Sequence, residues 1–181
     1  MQLRIATLAS VLILAFTTAA PALAVDTAAI DQAIGPTLDR FYAENPQHRE
    51  MVRKASAMLV FPHITKVGVG VGGERGEGAL LADGAIVGHY KVTGASVGAT
   101  LGAARSSEII LFMTPEARGN FEASKGWTIG ADTDVAIAKA GAGREFNNDT
   151  MRHPVVAFVF DEHGLIADAS LQGTKITRLP G

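Results

Sequence analysis

The sequence predicts an α+β fold: a strongly curved antiparallel β-sheet, closed into a small barrel or sandwich, with N-terminal helices packed over it. Three observations predict it. Apolar residues recur at steps of three and four from Ile30 to Leu59, the stripe of amphipathic helices. From Lys66 onward the period falls to two, the alternation of strands. Two of those strands place small residues at every second position, Gly68, Gly70 and Gly72 in the first and Gly94, Ser96, Gly98, Thr100 and Gly102 in the second. A strand face nearly bare of side chains allows tight curvature or the close approach of another backbone.

Ahead of the helices, Arg4 is followed by an apolar run from Ile5 to Phe16 and by small residues ending in Ala22-Leu23-Ala24. Charge, apolar core and small-residue cleavage site, in that order, mark residues 1–24 as a secretion signal cut after Ala24. The run is shorter than the ~20 residues a helix needs to cross a bilayer, and Thr17, Thr18 and Pro21 interrupt it. The expected mature protein is one domain, residues 25–181, periplasmic or secreted and soluble. With no cysteine it forms no disulfide and carries no lipoprotein attachment site.

Within that domain Ile30, Ile34, Leu38, Phe41 and Tyr42 form the first stripe, which Gly35-Pro36 should divide into two short helical pieces. Asn45-Pro46 opens the next helix, with Asn45 as cap and Met51, Val52, Ala55 and Met58 or Leu59 along one face. Arg49, Arg53 and Lys54, against the single acid Glu50, decorate the rest of it. Residues 67–102 read as a meander of antiparallel strands: Val67, Val69 and Val71 opposite glycine, then Gly78 to Ala82, a turn at Asp83-Gly84, Ala85 to Val92 and the second glycine strand. Ile109 to Met113 is a further strand, and Thr114-Pro115-Glu116 caps a short helix running towards Ser124 with Phe121 inward. Trp127-Thr128-Ile129 and Val135-Ala136-Ile137 are short strands, and Gly141 to Thr150 is a polar loop. Val155 to Phe160 and Leu165 to Leu171 read as a hairpin about Asp161-Glu162-His163-Gly164, with Thr174 to Leu179 as a last edge strand.

The 16 basic and 18 acidic side chains give a net charge of −2, and loss of Arg4 with the signal moves it to −3. That balance excludes bulk attraction to nucleic acid and leaves any anionic partner to a local basic patch. Gly68-Val69-Gly70-Val71-Gly72-Gly73 has the spacing of a dinucleotide-binding loop, but the glycines lead into more strand instead of a helix, so no nucleotide site is expected. Gly94-Ala95-Ser96-Val97-Gly98 has the spacing of a hydrolase nucleophile elbow, with Asp132, Asp134, Asp161, His153 and His163 as conceivable partners. An elbow needs a sharp strand-to-helix turn, whereas Ser96 falls within an alternating strand, so it reads first as a packing residue. His48, His63, His89, His153 and His163 show no metal-ligand spacing, and the acid pairs Asp132 with Asp134 and Glu74 with Glu77 are weak cation candidates. Neither a cofactor nor a metal is expected.

The run Val60-Phe61-Pro62-His63-Ile64-Thr65-Lys66-Val67-Gly68, followed by Gly72-Gly73-Glu74-Arg75-Gly76-Glu77-Gly78, resembles the opening of the SYLF domain, a lipid-binding module. Later blocks resemble it in the same order: Gly94-Ala95-Ser96-Val97-Gly98 with Gly102, Ile109 to Thr114, Trp127 to Asp132, and Gly164-Leu165 through Ser170 to Ile176. The resemblance spans roughly residues 50–181. It implies a non-enzymatic module that binds membrane lipid, phosphoinositides among them in eukaryotic relatives, some of which also bind actin. Bacterial relatives are exported, and this chain shows no SH3 or FYVE partner domain, so actin and phosphoinositide roles are not carried over. The expected partner is an anionic phospholipid or other envelope lipid, with an envelope protein as a further possibility. The lipid-contact candidates are Arg49, Arg53 and Lys54 on the basic segment 46–57, where Met51 and Met58 face acyl chain or core, and then Lys66 and Arg75 beside the glycine strand. Gly68, Gly70, Gly72, Gly73, Gly76, Gly78, Gly94, Gly98 and Gly102 are the structural glycines. Two alternatives stand beside this reading: a structural or partner-binding envelope protein that uses the exposed edge of its last strand, and a serine hydrolase acting through Ser96.

Overall fold

A computed structural model describes residues 25–132, 135–139, 152–164 and 173–180. The proposed signal, the loop 141–150 and the second arm of the expected C-terminal hairpin lie outside them. Helix α1, Thr27–Glu44, opens where the Asp26 carboxylate accepts from the Ala29 amide at 3.1 Å. It runs unbroken through Gly35-Pro36, against the expected division. Proline removes one backbone donor there, but Ile30 and Ile34 before it and Thr37 and Phe41 after it are all buried on one face. That shared face carries the helix across the defect. Helix α2, Gln47–Lys54, starts as expected, with the Asn45 side chain accepting from the Gln47 amide at 2.9 Å. It stops at Lys54, so Met58 belongs to the following strand and not to the helix face.

The expected meander is a single hairpin. Strand β1, Ala57–Ala82, pairs with β2, Ala85–Phe112, from Ala57 opposite Phe112 down to Ala82 opposite Ala85. Both turn residues have positive φ, 52° at Asp83 and 79° at Gly84, the tight connection whose twist matches that of the strands. Strands this long do not stay flat. A Cβ on Gly76 would lie 2.7 Å from the His63 carbonyl oxygen and 2.8 Å from Ile64 Cγ1, and one on Gly78 would collide with the Val60 carbonyl and the Phe61 ring. The second half of β1 therefore lies against its first half, and the hairpin curls over itself into a half-barrel.

Along the other edge of β2, Tyr90–Thr93 pairs with β6, Lys175–Arg178, while Ala104–Phe112 pairs with β5, Val155–Gly164. Strand β3, Trp127–Thr128, adds to β6, and β4, Val135–Lys139, adds to β5. Three expectations change here. The β4–β5 pairing is parallel, the one departure from an antiparallel sheet among the described strands. β5 passes straight through the expected turn, because His163 and Gly164 continue the ladder opposite Arg105 and Ala104. Asp161, at φ 54°, takes up the irregularity as a bulge, its carboxylate held by Arg40 at 2.5 Å and by the Ser107 hydroxyl at 3.3 Å. Finally, β6 is not an edge strand, since β3 covers its outer side.

Each face of the sheet has its own core. Inside the curl lie Leu59, Phe61, Leu80, Val92, Ile110 and Phe112, closed by Phe121 of α3 (Pro115–Ala123) and by Trp127. The Thr114 hydroxyl caps α3 by accepting from the Ala117 amide at 3.1 Å, and Phe121 packs 4.7 Å from Phe112 and 5.5 Å from Trp127 between ring centres. On the outer face Ile30, Ile34, Phe41 and Met51 of the helices bury Val60, Ile109 and Phe158.

The two glycine environments make opposite forecasts. Gly78→Ala should lower the unfolding free energy by about 1–3 kcal/mol, as overpacking does. Gly35→Ala, with open space at its Cβ in α1, should raise it by about 0.5–1 kcal/mol. Urea unfolding of both variants measures the two shifts.

Candidate functional site

The basic candidates on α2 face outward. Arg49, Arg53 and Lys54 are exposed, whereas His48 and Met51 on the opposite side are buried. The Arg49 guanidinium lies 4.3 Å from the centre of the Tyr42 ring, and Lys54 pairs with Glu50 at 2.8 Å. His48 Nδ1 donates to the Phe41 carbonyl at 2.7 Å while its ring stacks on Phe41 at 4.0 Å. Burial pushes its pKa down, so the imidazole stays neutral and serves the core.

The other two candidates separate. Arg75 is on the outer face, three-quarters exposed, with Glu77 at 2.8 Å. Lys66 turns into the curl: its side chain is largely buried and pairs at 3.1 Å with the equally buried Glu74, which also accepts a hydrogen bond from the Thr174 hydroxyl. Placing Lys66 at a lipid surface is therefore corrected. The phase of the alternation shifts at the bulge between Phe61 and Ile64, and even-numbered positions beyond it face inward.

Near this ion pair lies a residue that the sequence reading passed over. Glu108 is 1% exposed, and neither carboxylate oxygen has a hydrogen-bond partner among the described residues. The Ser106 hydroxyl, two positions earlier on the same strand face, is also buried and unpartnered. Burial raises the Glu108 pKa to about 8, with Lys66 opposing and Glu74 and Glu162 adding to the rise. Its signal was present in the sequence as the inward phase shared with Ile110 and Phe112.

Outside the curl, the row of β1 that follows the helix-covered segment is bare. Val67, Val69 and Val71 are 52%, 79% and 66% exposed. Beside it a groove of about 320 Å³ lies between α1 and β1, walled by Val25, Ile30, Pro62, His63 and Arg75. Ser96 sits in mid-strand opposite Gly72, and β2 continues from it to Phe112, so the strand-to-helix turn of a nucleophile elbow is not formed there. The Gly68–Gly73 run likewise continues as strand, with no helix following it. Among the described residues no group of three acidic, histidine or cysteine side chains is placed to hold a metal ion, and no helix is long and apolar enough to cross a membrane.

Residues 93–179 match a family model described as Ysc84, Las17-binding protein actin regulator. The match begins within β2 and takes in α3 and β3 to β6. No curated protein matches.

Glu108 fixes a pH dependence. An ordinary glutamate, near 4.5, ionises in the unfolded chain while the buried one still holds its proton up to about 8. The stabilising contribution of protonated Glu108 is complete below 4.5 and is lost as pH rises to about 8. Glu108→Gln should match the parent near pH 4 and exceed it by several kcal/mol near pH 9 (one pKa unit being about 1.4 kcal/mol), as measured by urea unfolding across that range.

Proposed function

Since residues 93–179 belong to the SYLF (Ysc84) family, we propose that the chain is a non-enzymatic module that binds anionic phospholipid at the surface of a bacterial envelope. The observation that carries this reading is the division of α2: Arg49, Arg53 and Lys54 point to solvent while Met51 anchors the helix in the core. A rigidly seated helix then offers cations to phosphate groups without having to fold on contact. Arg75, on the same outer face, adds to the field; Lys66 does not. Export through the signal at residues 1–24 is part of the proposal. It places the protein where envelope lipid is plentiful and where actin, named in the family's description, is absent.

Each Lys or Arg near an anionic surface contributes about 1 kcal/mol. Sedimentation with vesicles containing phosphatidylglycerol should therefore show binding that purely zwitterionic vesicles do not support. The triple change Arg49→Ala, Arg53→Ala, Lys54→Ala should weaken it by on the order of a hundredfold, with the circular dichroism spectrum unchanged. Equal sedimentation with both vesicle types, or an unaffected triple variant, would defeat the electrostatic reading.

A further inference from the structure

The outer face of the hairpin bend is apolar at its centre and carries an arginine at each end, Arg75 on β1 and Arg105 on β2. Beyond the Phe61/Ile64 bulge the odd-numbered positions share the outer face, which the helices cover at Ala79. On that face Val67, Val69 and Val71 follow Thr65 and precede Gly73 and Arg75. Their register partners on β2 are Ala103, Leu101 and Val97, so the apolar sequence is two strands wide. At a rise of about 3.3 Å per residue the valines extend for roughly 13 Å. Contiguous exposed apolar surface on a folded domain marks a contact surface more often than chance exposure.

The charges select the occupant. Arg105, the register partner of Thr65, is exposed at one end of the row and has no ion-pair partner among the described residues. Arg75 stands at the other end, three-quarters exposed, and donates to the Glu77 carboxylate, a surface pair that phosphate can displace. An apolar strip between two arginines matches the boundary of a bilayer, where acyl chain lies beneath a layer of phosphates. The glycine face behind the strip adds little bulk to the bend.

We propose that this bend is a wedge, with Val67, Val69 and Val71 entering the acyl region of an anionic bilayer while Arg75 and Arg105 hold headgroup phosphates. The wedge rests on the lipid-binding reading above but adds a distinct contact: α2 supplies attraction and the valine row supplies insertion.

The absence of cysteine makes the test direct. Val69→Cys carries a single environment-sensitive nitrobenzoxadiazole label, and Glu116→Cys on α3 serves as an exposed control. On phosphatidylglycerol-containing vesicles the label at 69 should shift to the blue and brighten severalfold, while the label at 116 stays as in water. The combined Val67→Thr, Val69→Thr, Val71→Thr variant keeps side-chain shape and strand preference, so it should fold with an unchanged melting midpoint yet bind vesicles at least tenfold more weakly. If the protein sediments with vesicles but the label at 69 remains water-like, the wedge is overturned and the lipid reading survives. Failure of the parent protein to sediment overturns both. A blue shift that follows protein concentration without vesicles assigns the row to a second copy of the chain and also overturns the wedge.

Discussion

Two glycines without side chains determine the shape of this molecule. At Gly76 and Gly78 the returning half of β1 runs against its own beginning, at a separation where any Cβ would overlap the backbone of Val60 or His63. Everything else is arranged around that contact. Because β1 closes on itself, its partner β2 must bend with it, and the outer edge of β2 is split between two directions. Its first part receives β6 and its second part receives β5. The interior then needs only a small lid, which the Phe121 and Trp127 rings provide.

The same closure encloses polar groups that a flat sheet would leave in water. Lys66, Glu74 and Thr174 meet inside the curl, tying the approach to β6 to the two halves of β1, and Glu108 lies near them with no hydrogen-bond partner among the described residues. Burial of a lone carboxyl group in such a place is tolerated because it stays protonated, which removes most of the cost of desolvating a charge. The outer face has the opposite character. Beyond the helix-covered segment, where His48 and Thr37 are buried, the β1 row is left exposed and apolar at Val67, Val69 and Val71.

Local signals in the chain were read correctly wherever the chemistry is local. Thr114-Pro115, Asp83-Gly84 and Asn45 each act through atoms a few residues away, and each appears in the structure in its expected role. What could not be read depends on partners distant in sequence. Pro36 resembles a break until the sheet beneath Ile34 and Phe41 is seen to hold both sides of it. Asp161 to Gly164 resembles a turn until β2 supplies a ladder that carries the strand onward. The bulge after Phe61 is the most consequential case. It shifts the inside–outside phase by one position, and with that single step Lys66 enters the interior while Arg75 remains on the surface.

The length of the hairpin also governs how the chain reaches this shape. Ala57 and Phe112 end as neighbours, a pairing whose direct closure would be slow because a long loop must first be gathered. The tight turn at Asp83-Gly84 removes that obstacle. Pairing begins between adjacent residues, and each rung shortens the loop that the next must close, so the most distant contact forms as the last tooth of a zipper. The glycine bend lies partway along that zipper. Until β1 folds over at that bend, both faces of a long two-stranded ribbon are open to the surroundings.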